Sequence, residues 1–156
     1  MKPEIASLFL ADDAATAALA GRVAPLLRSG DTLLLEGNIG AGKTTFARAL
    51  IRARLGREED VPSPTFTLVQ TYDDPEAEIW HCDLYRLTSP DEILELGLDT
   101  AFEDGICLIE WPDRLGTAAP KAALRLVLSP ESDARIVQFE GSAAWIERLR
   151  LGGVLG

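Results

Sequence analysis

The sequence predicts an α/β fold in which a phosphate-binding loop joins a buried strand to an amphipathic helix, inside a mixed sheet that also carries antiparallel hairpins. Three observations predict it. The stretch "LLLEGNIGAGKTTFARAL", residues 33–50, holds Gly37, Gly42, Lys43 and Thr44 in the spacing G-x-x-x-x-G-K-[ST]. An apolar run from Thr32 to Leu35 precedes this loop. After it, from Lys43 to Leu55, Phe46, Ala47, Leu50, Ile51 and Leu55 recur on one helical face. Elsewhere, β-branched and aromatic runs meet at clusters of turn residues, the signal of hairpins.

Taken in order, "EIASLFL" is a first strand. From Asp13 to Arg28, Ala15, Leu19, Val23, Leu26 and Leu27 share a helical face, with Asp12 or Asp13 as N-cap and Gly30 as the stop. The strand opening at Thr32 runs into the phosphate loop and its helix. In "VPSPTFTLVQTYDDPEAEIWHCDLYRL", Pro62 and Pro64 forbid a helix and stiffen the chain. Thr65–Tyr72 and Glu78–Tyr85 then form an antiparallel pair about Asp73-Asp74-Pro75-Glu76. Alternation puts Ile79, His81, Asp83 and Tyr85 on one face, and Trp80, Cys82 and Leu84 on the other. "SPDEILELGL" starts a helix with Ser89 as N-cap and Pro90 at its first position. "GICLIEW" is a strand buried on both faces that ends at Glu110, stopped by Pro112. "ALRLVLS" and "ARIVQFE" pair around Pro130 to Asp133. Residues 142–151 form a short helix with Trp145, Ile146 and Leu149 inward.

Composition bounds the function. A chain of 156 residues is expected to form one domain, residues 1–156, with a sizeable core. It has no run of 18 apolar residues and no signal-peptide pattern at "MKPEIASLF", so a membrane role is not expected. Cys82 and Cys107 are too few for a zinc site or a disulfide framework; buried thiols and a cytoplasmic location are expected. Acidic residues outnumber basic ones 25 to 15, a formal charge of −10. That excludes an autonomous binder of DNA or tRNA, which would carry a basic face. Arg48, Arg52, Arg54 and Arg57 form the one basic cluster, either a solvated helix face or a docking patch.

The chemistry of the loop is electrostatic. Its glycines let successive backbone N–H groups point inward as an anion nest, and the helix N-terminus adds free N–H groups and the positive end of its dipole. Asn38, Ile39, Gly40, Ala41, Gly42, Lys43, Thr44 and Thr45 are the expected phosphate contacts. Lys43 reaches the β- and γ-phosphates, and the Thr44 hydroxyl ligates Mg²⁺. A partner carboxylate should stand at the end of a neighbouring apolar strand, which makes Glu110 the leading candidate. Asp83 is the second acid, either a magnesium or water ligand or one half of a surface ion pair. His81 is either structural or part of the site. "SPTFT" sits where switch loops sit, and Ser63, Thr65 and Thr67 offer hydroxyls to a γ-phosphate; the bland alternative is a proline-stiffened connection. The chain's single asparagine, Asn38, is followed by Ile39, so no Asn-Lys-x-Asp guanine reader exists and ATP is expected over GTP.

These motifs resemble the TsaE (YjeE) family of bacterial ATPases. The matching stretches are "GNIGAGKTTFARAL", "VPSPTFTLVQTY", "HCDLYRL", "ELGLDTAF" and "CLIEWPDRLG", in the family's order across residues 33–116. The resemblance implies a three-layer P-loop NTPase-like fold and an ATPase that works beside TsaB and TsaD. Those proteins install threonylcarbamoyl on the adenosine 3′ of the anticodon in tRNAs reading codons that begin with A. It further implies that Lys43 and Thr44 hold phosphate and magnesium, with Glu110 and Asp83 as the essential acids. Residues 63–66 become a switch, Trp111 flanks the nucleotide, and Asp13 and Thr16 lie near the base. tRNA would then be engaged only through the complex. Asn38 departs from the family's usual acid, at a position that contributes chiefly backbone. A small-molecule kinase and a nucleotide-dependent binding protein without useful turnover are the alternatives.

Overall fold

The computed structural model describes residues 4–38, 40–57, 60–64, 68–87, 89 and 91–155. One seven-stranded mixed sheet organises them, in the order β1-β7-β6-β2-β5-β4-β3. In chain order, β1 is Glu4–Leu10, β2 Thr32–Glu36, β3 Val69–Tyr72, β4 Ile79–Asp83, β5 Ile106–Glu110, β6 Leu124–Glu131 and β7 Ala134–Gly141. The helices are α1 (Asp13–Val23), α2 (Lys43–Leu55), α3 (Asp91–Leu96), α4 (Leu98–Asp104) and α5 (Ala143–Leu151). The centre is parallel, β6-β2-β5-β4, and β3, β7 and β1 add antiparallel pairs at the two sides.

Alternation along the central strands divides the core. Leu33 and Leu35 of β2 and Ile106 and Leu108 of β5 pack with α1, α2 and α5. Leu34, Cys107 and Ile109 face the opposite way, toward α3, α4 and Leu115. Helices therefore cover both faces, giving three layers. All five residues of β5 are buried, as its unbroken apolar run requires. On α2, Phe46, Ala47, Leu50 and Ile51 are fully buried, and each of the three larger side chains contributes about 1.5–3 kcal/mol by leaving water. Both thiols are free and buried. Burial pushes Cys107 up to about 12, with the neighbouring Thr32 side chain pulling the other way, and raises Cys82 as well, so neither is poised as a nucleophile. Among the described residues, no helix is long and apolar enough to cross a membrane.

Several boundaries differ from the sequence expectation, each for a local reason. The first helix does not reach Arg28. It ends at Val23, and Ala24–Leu26 tighten into a 3₁₀ turn containing Pro25, which has no N–H to donate to the preceding turn and whose ring crowds the carbonyl there. Asp12, not Asp13, is its N-cap, accepting from Ala15 N at 2.8 Å. The Glu78–Tyr85 strand is shorter, Ile79–Asp83, and Tyr85 lies beyond it. The helix expected after Ser89 is two short helices, α3 and α4, broken at Gly97 with φ of 81°. The basic cluster on α2 is partly spent inside the fold. Arg54 donates to the Ala24 and Leu27 carbonyls, each at 3.1 Å, and pairs with Asp74 at 2.7 Å. Arg48 donates to the Val61 carbonyl at 2.8 Å. These two side chains tie α2 to its neighbours and are not an open docking face.

Candidate nucleotide site

The loop after β2 is shaped by residues that side chains would obstruct. At Gly37, with φ of 151°, a Cβ would come 2.7 Å from the Leu128 carbonyl oxygen and 2.9 Å from Ala41 Cβ. Gly42, with φ of 106°, is the N-cap of α2 and supplies no side-chain cap, so the first N–H groups of the helix keep their capacity for an anion. Lys43, the first residue of α2, folds back to donate to the Gly37 carbonyl and, at 3.1 Å, to the Asn38 carbonyl. Its ammonium also lies 4.1 Å from the centroid of the Trp111 ring. Burial pushes this ammonium below its ordinary value, while Glu110 and Asp83 pull the other way. Asn38 takes part through its backbone oxygen, which also accepts from Ala41 N at 3.0 Å.

The two acids converge because their strands are parallel neighbours. Asp83 ends β4, Glu110 ends β5, and they are register partners. Both side chains share the sheet face that α2 covers, and both are buried, with 6% and 2% of their surface exposed. Thr44 Oγ1 donates to Glu110 Oε1 at 2.9 Å, which joins the head of α2 to the end of β5. The other Glu110 oxygen, Oε2, lies 2.7 Å from His81 Nε2. Tyr85 N donates to Asp83 Oδ1 at 3.0 Å. Two bulky residues beside these acids sit in left-handed backbone conformations, Trp111 at φ of 58° and Leu68 at φ of 68°. The Leu68 carbonyl accepts from Asp83 N at 2.9 Å. Strain of this kind, on the order of 1–3 kcal/mol per residue, concentrates at functional sites.

A cavity of about 420 Å³ opens over this cluster. Of the residues expected from sequence, Asp13, Gly40, Gly42, Lys43, Thr44, Thr45, Asp83, Glu110 and Trp111 line it, and so does Ser63 of the "SPTFT" segment. Ala41 packs into the core and Thr16 is fully buried, its hydroxyl accepting from Arg135 at 3.3 Å. Ile39 and Thr65, together with Phe66 and Thr67, lie outside the described residues. The donor set is hard oxygen, one hydroxyl and two carboxylates, which suits Mg²⁺. Among the described residues no group of three or more His, Cys, Asp or Glu could hold a metal unaided. That fits magnesium carried on phosphates, which needs only one or two carboxylates from protein.

A family model described as "Threonylcarbamoyl adenosine biosynthesis protein TsaE" matches residues 10–137, well over half of the chain. The chain belongs to the TsaE family. The TsaE match spans every residue that lines the cavity, from Asp13 to Arg135. A Rickettsia bellii protein named "tRNA threonylcarbamoyladenosine biosynthesis protein TsaE" is 43% identical over 105 residues, 67% of this chain and 73% of that protein. The Bacillus subtilis protein of the same name is 40% identical over 119 residues, 76% of this chain and 73% of its own length. For the Rickettsia felis TsaE, 44% identical over 106 residues, the match covers 68% of this chain but only 62% of that protein. The crystal structure of Bacillus subtilis YdiB aligns with a TM-score of 0.80 at 29% identity, covering 97% of this chain and 95% of that one.

Arg135 and Tyr85 are the lining residues that sequence reasoning did not assign to the site. Arg135 is the second residue of β7, beyond the phosphate and acid motifs, in a stretch whose only sequence signal is strand alternation. Its guanidinium pairs with Asp13 at 2.7 Å, and a Cβ placed on Gly42 would come 2.1 Å from its Nη1. Tyr85 was legible only as a strand residue. In the fold it packs against Trp111, ring centroids 4.9 Å apart and planes tilted by 53°, and lines the cavity.

Proposed function

We propose that this chain is a P-loop ATPase, a single domain that binds and hydrolyses Mg-ATP in the cytoplasm. In this reading it supports threonylcarbamoyl modification of the adenosine 3′ of the anticodon in tRNAs reading codons that begin with A. It does so together with TsaB and TsaD, meeting tRNA only through them. The observation that carries the reading is the meeting of Lys43 and Thr44 at the uncapped head of α2 with two buried carboxylates on adjacent strand ends. The names borne by its relatives supply the pathway.

The residues divide the work. The loop N–H groups and Lys43 take the phosphates, Lys43 exchanging the Gly37 and Asn38 carbonyls for phosphate oxygens. Thr44, Glu110 and Asp83 would hold the magnesium ion or its waters, and that ion would neutralise charge developing on the transferred phosphoryl group. Glu110 is also within reach to orient an attacking water. Trp111 and Tyr85 wall the cavity, and Arg135, paired with Asp13, lines it beside Gly42. Arg135 is the one feature that favours the kinase alternative, since a kinase needs a cation above its phosphates. It stands on a strand of the sheet, however, not on a lid.

The test compares phosphate release from ATP with a screen for phosphorylated small molecules, with and without TsaB and TsaD. Phosphate release that rises with the partners is the expected result; a phosphorylated acceptor would establish the kinase instead. Lys43→Ala should lower ATP affinity or turnover at least about tenfold, roughly 1.4 kcal/mol. A folded Lys43→Ala chain with unchanged binding and hydrolysis would sink the site.

A further inference from the structure

We propose, resting on the nucleotide-site reading above, that His81 is a positioning residue for Glu110. The ring is fully buried and does not line the cavity, so it touches neither nucleotide nor metal and can act only through its neighbours. Its Nε2 lies 2.7 Å from Glu110 Oε2, and its Nδ1 has no hydrogen-bond partner among the described residues. A proton on Nδ1 would be a buried donor with nothing to receive it, so the ring carries its proton on Nε2, facing the carboxylate. The Glu110 contact is the one hydrogen bond this ring has among the described residues. Elsewhere it is flanked on its face by apolar core such as Ile79 and Leu108, where a Phe would leave no unpaired ring nitrogen.

The consequence is geometric. Glu110 has two oxygens and two partners on opposite sides, His81 on Oε2 and the Thr44 hydroxyl on Oε1. With Oε2 held from beneath, the carboxylate cannot rotate, and Oε1 stays aimed at the head of α2, where Thr44 and the magnesium position are. A histidine that fixes the orientation of a metal-side carboxylate in this way is worth about 10–100-fold in metal affinity or activity. Strand alternation explains why the two meet. His81 stands two residues before Asp83 on β4, and parallel pairing with β5 sets it diagonal to Glu110.

His81 is the chain's sole histidine, so ¹⁵N-histidine labelling reads this contact in a single ring. The expected spectrum has protonated Nε2 and bare Nδ1, and the Nε2 signal shifts in Glu110→Gln. A ring protonated at Nδ1, or one indifferent to Glu110→Gln, overturns the proposal. In turnover, His81→Phe keeps the volume and removes the donor. It should lower kcat at least about tenfold and raise the magnesium needed for half-saturation, while affinity for ATP in EDTA stays within about twofold. His81→Gln returns an N–H to the Nε2 position and should recover most of the loss. In the Glu110→Gln background, His81→Phe should cost almost nothing more, because the two residues act as a unit. Losses that multiply, or a folded His81→Gln no better than His81→Phe, would make His81 a packing residue only. If His81→Phe does not fold, the spectrum and His81→Gln still decide. Failure of the parent chain to bind Mg-ATP would overturn the nucleotide reading itself. A parent that hydrolyses ATP beside an unimpaired His81→Phe overturns this proposal alone.

Discussion

Replacing Glu110 by glutamine isolates what its charge does, because the amide can keep the local hydrogen bonding. The carbonyl oxygen of the new side chain can accept from His81 Nε2–H, and its NH₂ can donate to Thr44, whose hydroxyl turns to accept. Two charge-assisted bonds become neutral ones, a loss of about 1 kcal/mol each. Against that, a carboxylate only 2% exposed no longer has to be kept out of water beside Asp83, a relief of up to several kcal/mol. These effects oppose each other, so the thermal midpoint should move by no more than about 5 °C in either direction. The functional effect has no such offset. A neutral amide neither balances magnesium nor takes up a proton from water, and hydrolysis should fall at least about a hundredfold, roughly 2.7 kcal/mol in the barrier. Affinity for ATP should change by less than about threefold, since the interaction is used mainly in the transition state. Calorimetric ATP binding and steady-state phosphate release on the same preparation separate the two. Turnover within about threefold of the parent would refute the role given to Glu110.

Gly42→Ala should destabilise the chain by about 2–4 kcal/mol and weaken ATP binding, because a Cβ at φ of 106° is strained and evicts Arg135 from its bonds to Asp13 and Thr16. Urea unfolding at the parent's stability would refute the close approach. Asp74 tests the pH dependence of the α2 anchor. Burial raises its carboxyl, but the Arg54 guanidinium and the Glu76 and Ala77 backbone N–H groups outweigh it and hold the group below its ordinary value. Stability from a depressed carboxyl is present above the ordinary carboxylate range and is lost as pH falls through the folded value. Asp74→Asn should therefore be less stable than the parent at about pH 7, with a gap that narrows toward about pH 2.5 in urea melts. A gap independent of pH would assign the Arg54 contact no net electrostatic contribution.

Much of the fold was legible because local physics settled it. The helix Lys43–Leu55 has its expected bounds, since apolar spacing, the glycine before it and Gly56 after it all agree. The β6–β7 hairpin, the buried β5 and α5, which begins one residue after the expected 142, follow from patterns only a few residues long. Boundaries failed where one residue overrode a longer pattern. Pro25 cut short an apolar periodicity that continued to Leu27, and Gly97 split what reads as one helix. The solvated face or docking patch read for the α2 arginines is not what Arg48 and Arg54 form, for a different reason. Composition counts a charge but cannot see which carbonyl or carboxylate will take it.

The motif residues Gly37, Gly42, Lys43 and Thr44, the strand-end acids and the cap signals are contained in short windows of sequence, where the chemistry of neighbouring residues is enough to announce them. Strand order is not. Nothing local says that β5 lies between β2 and β4, yet that order makes Asp83 and Glu110 register partners and brings Thr44, sixty-six positions away in the chain, to 2.9 Å from Glu110. The same holds for Arg135 above Gly42 and for the one acceptor opposite His81 Nε2. Such contacts arise from the register of non-adjacent strands, which is decided by how two faces of a sheet bury their apolar residues together. Only the packed whole carries that information.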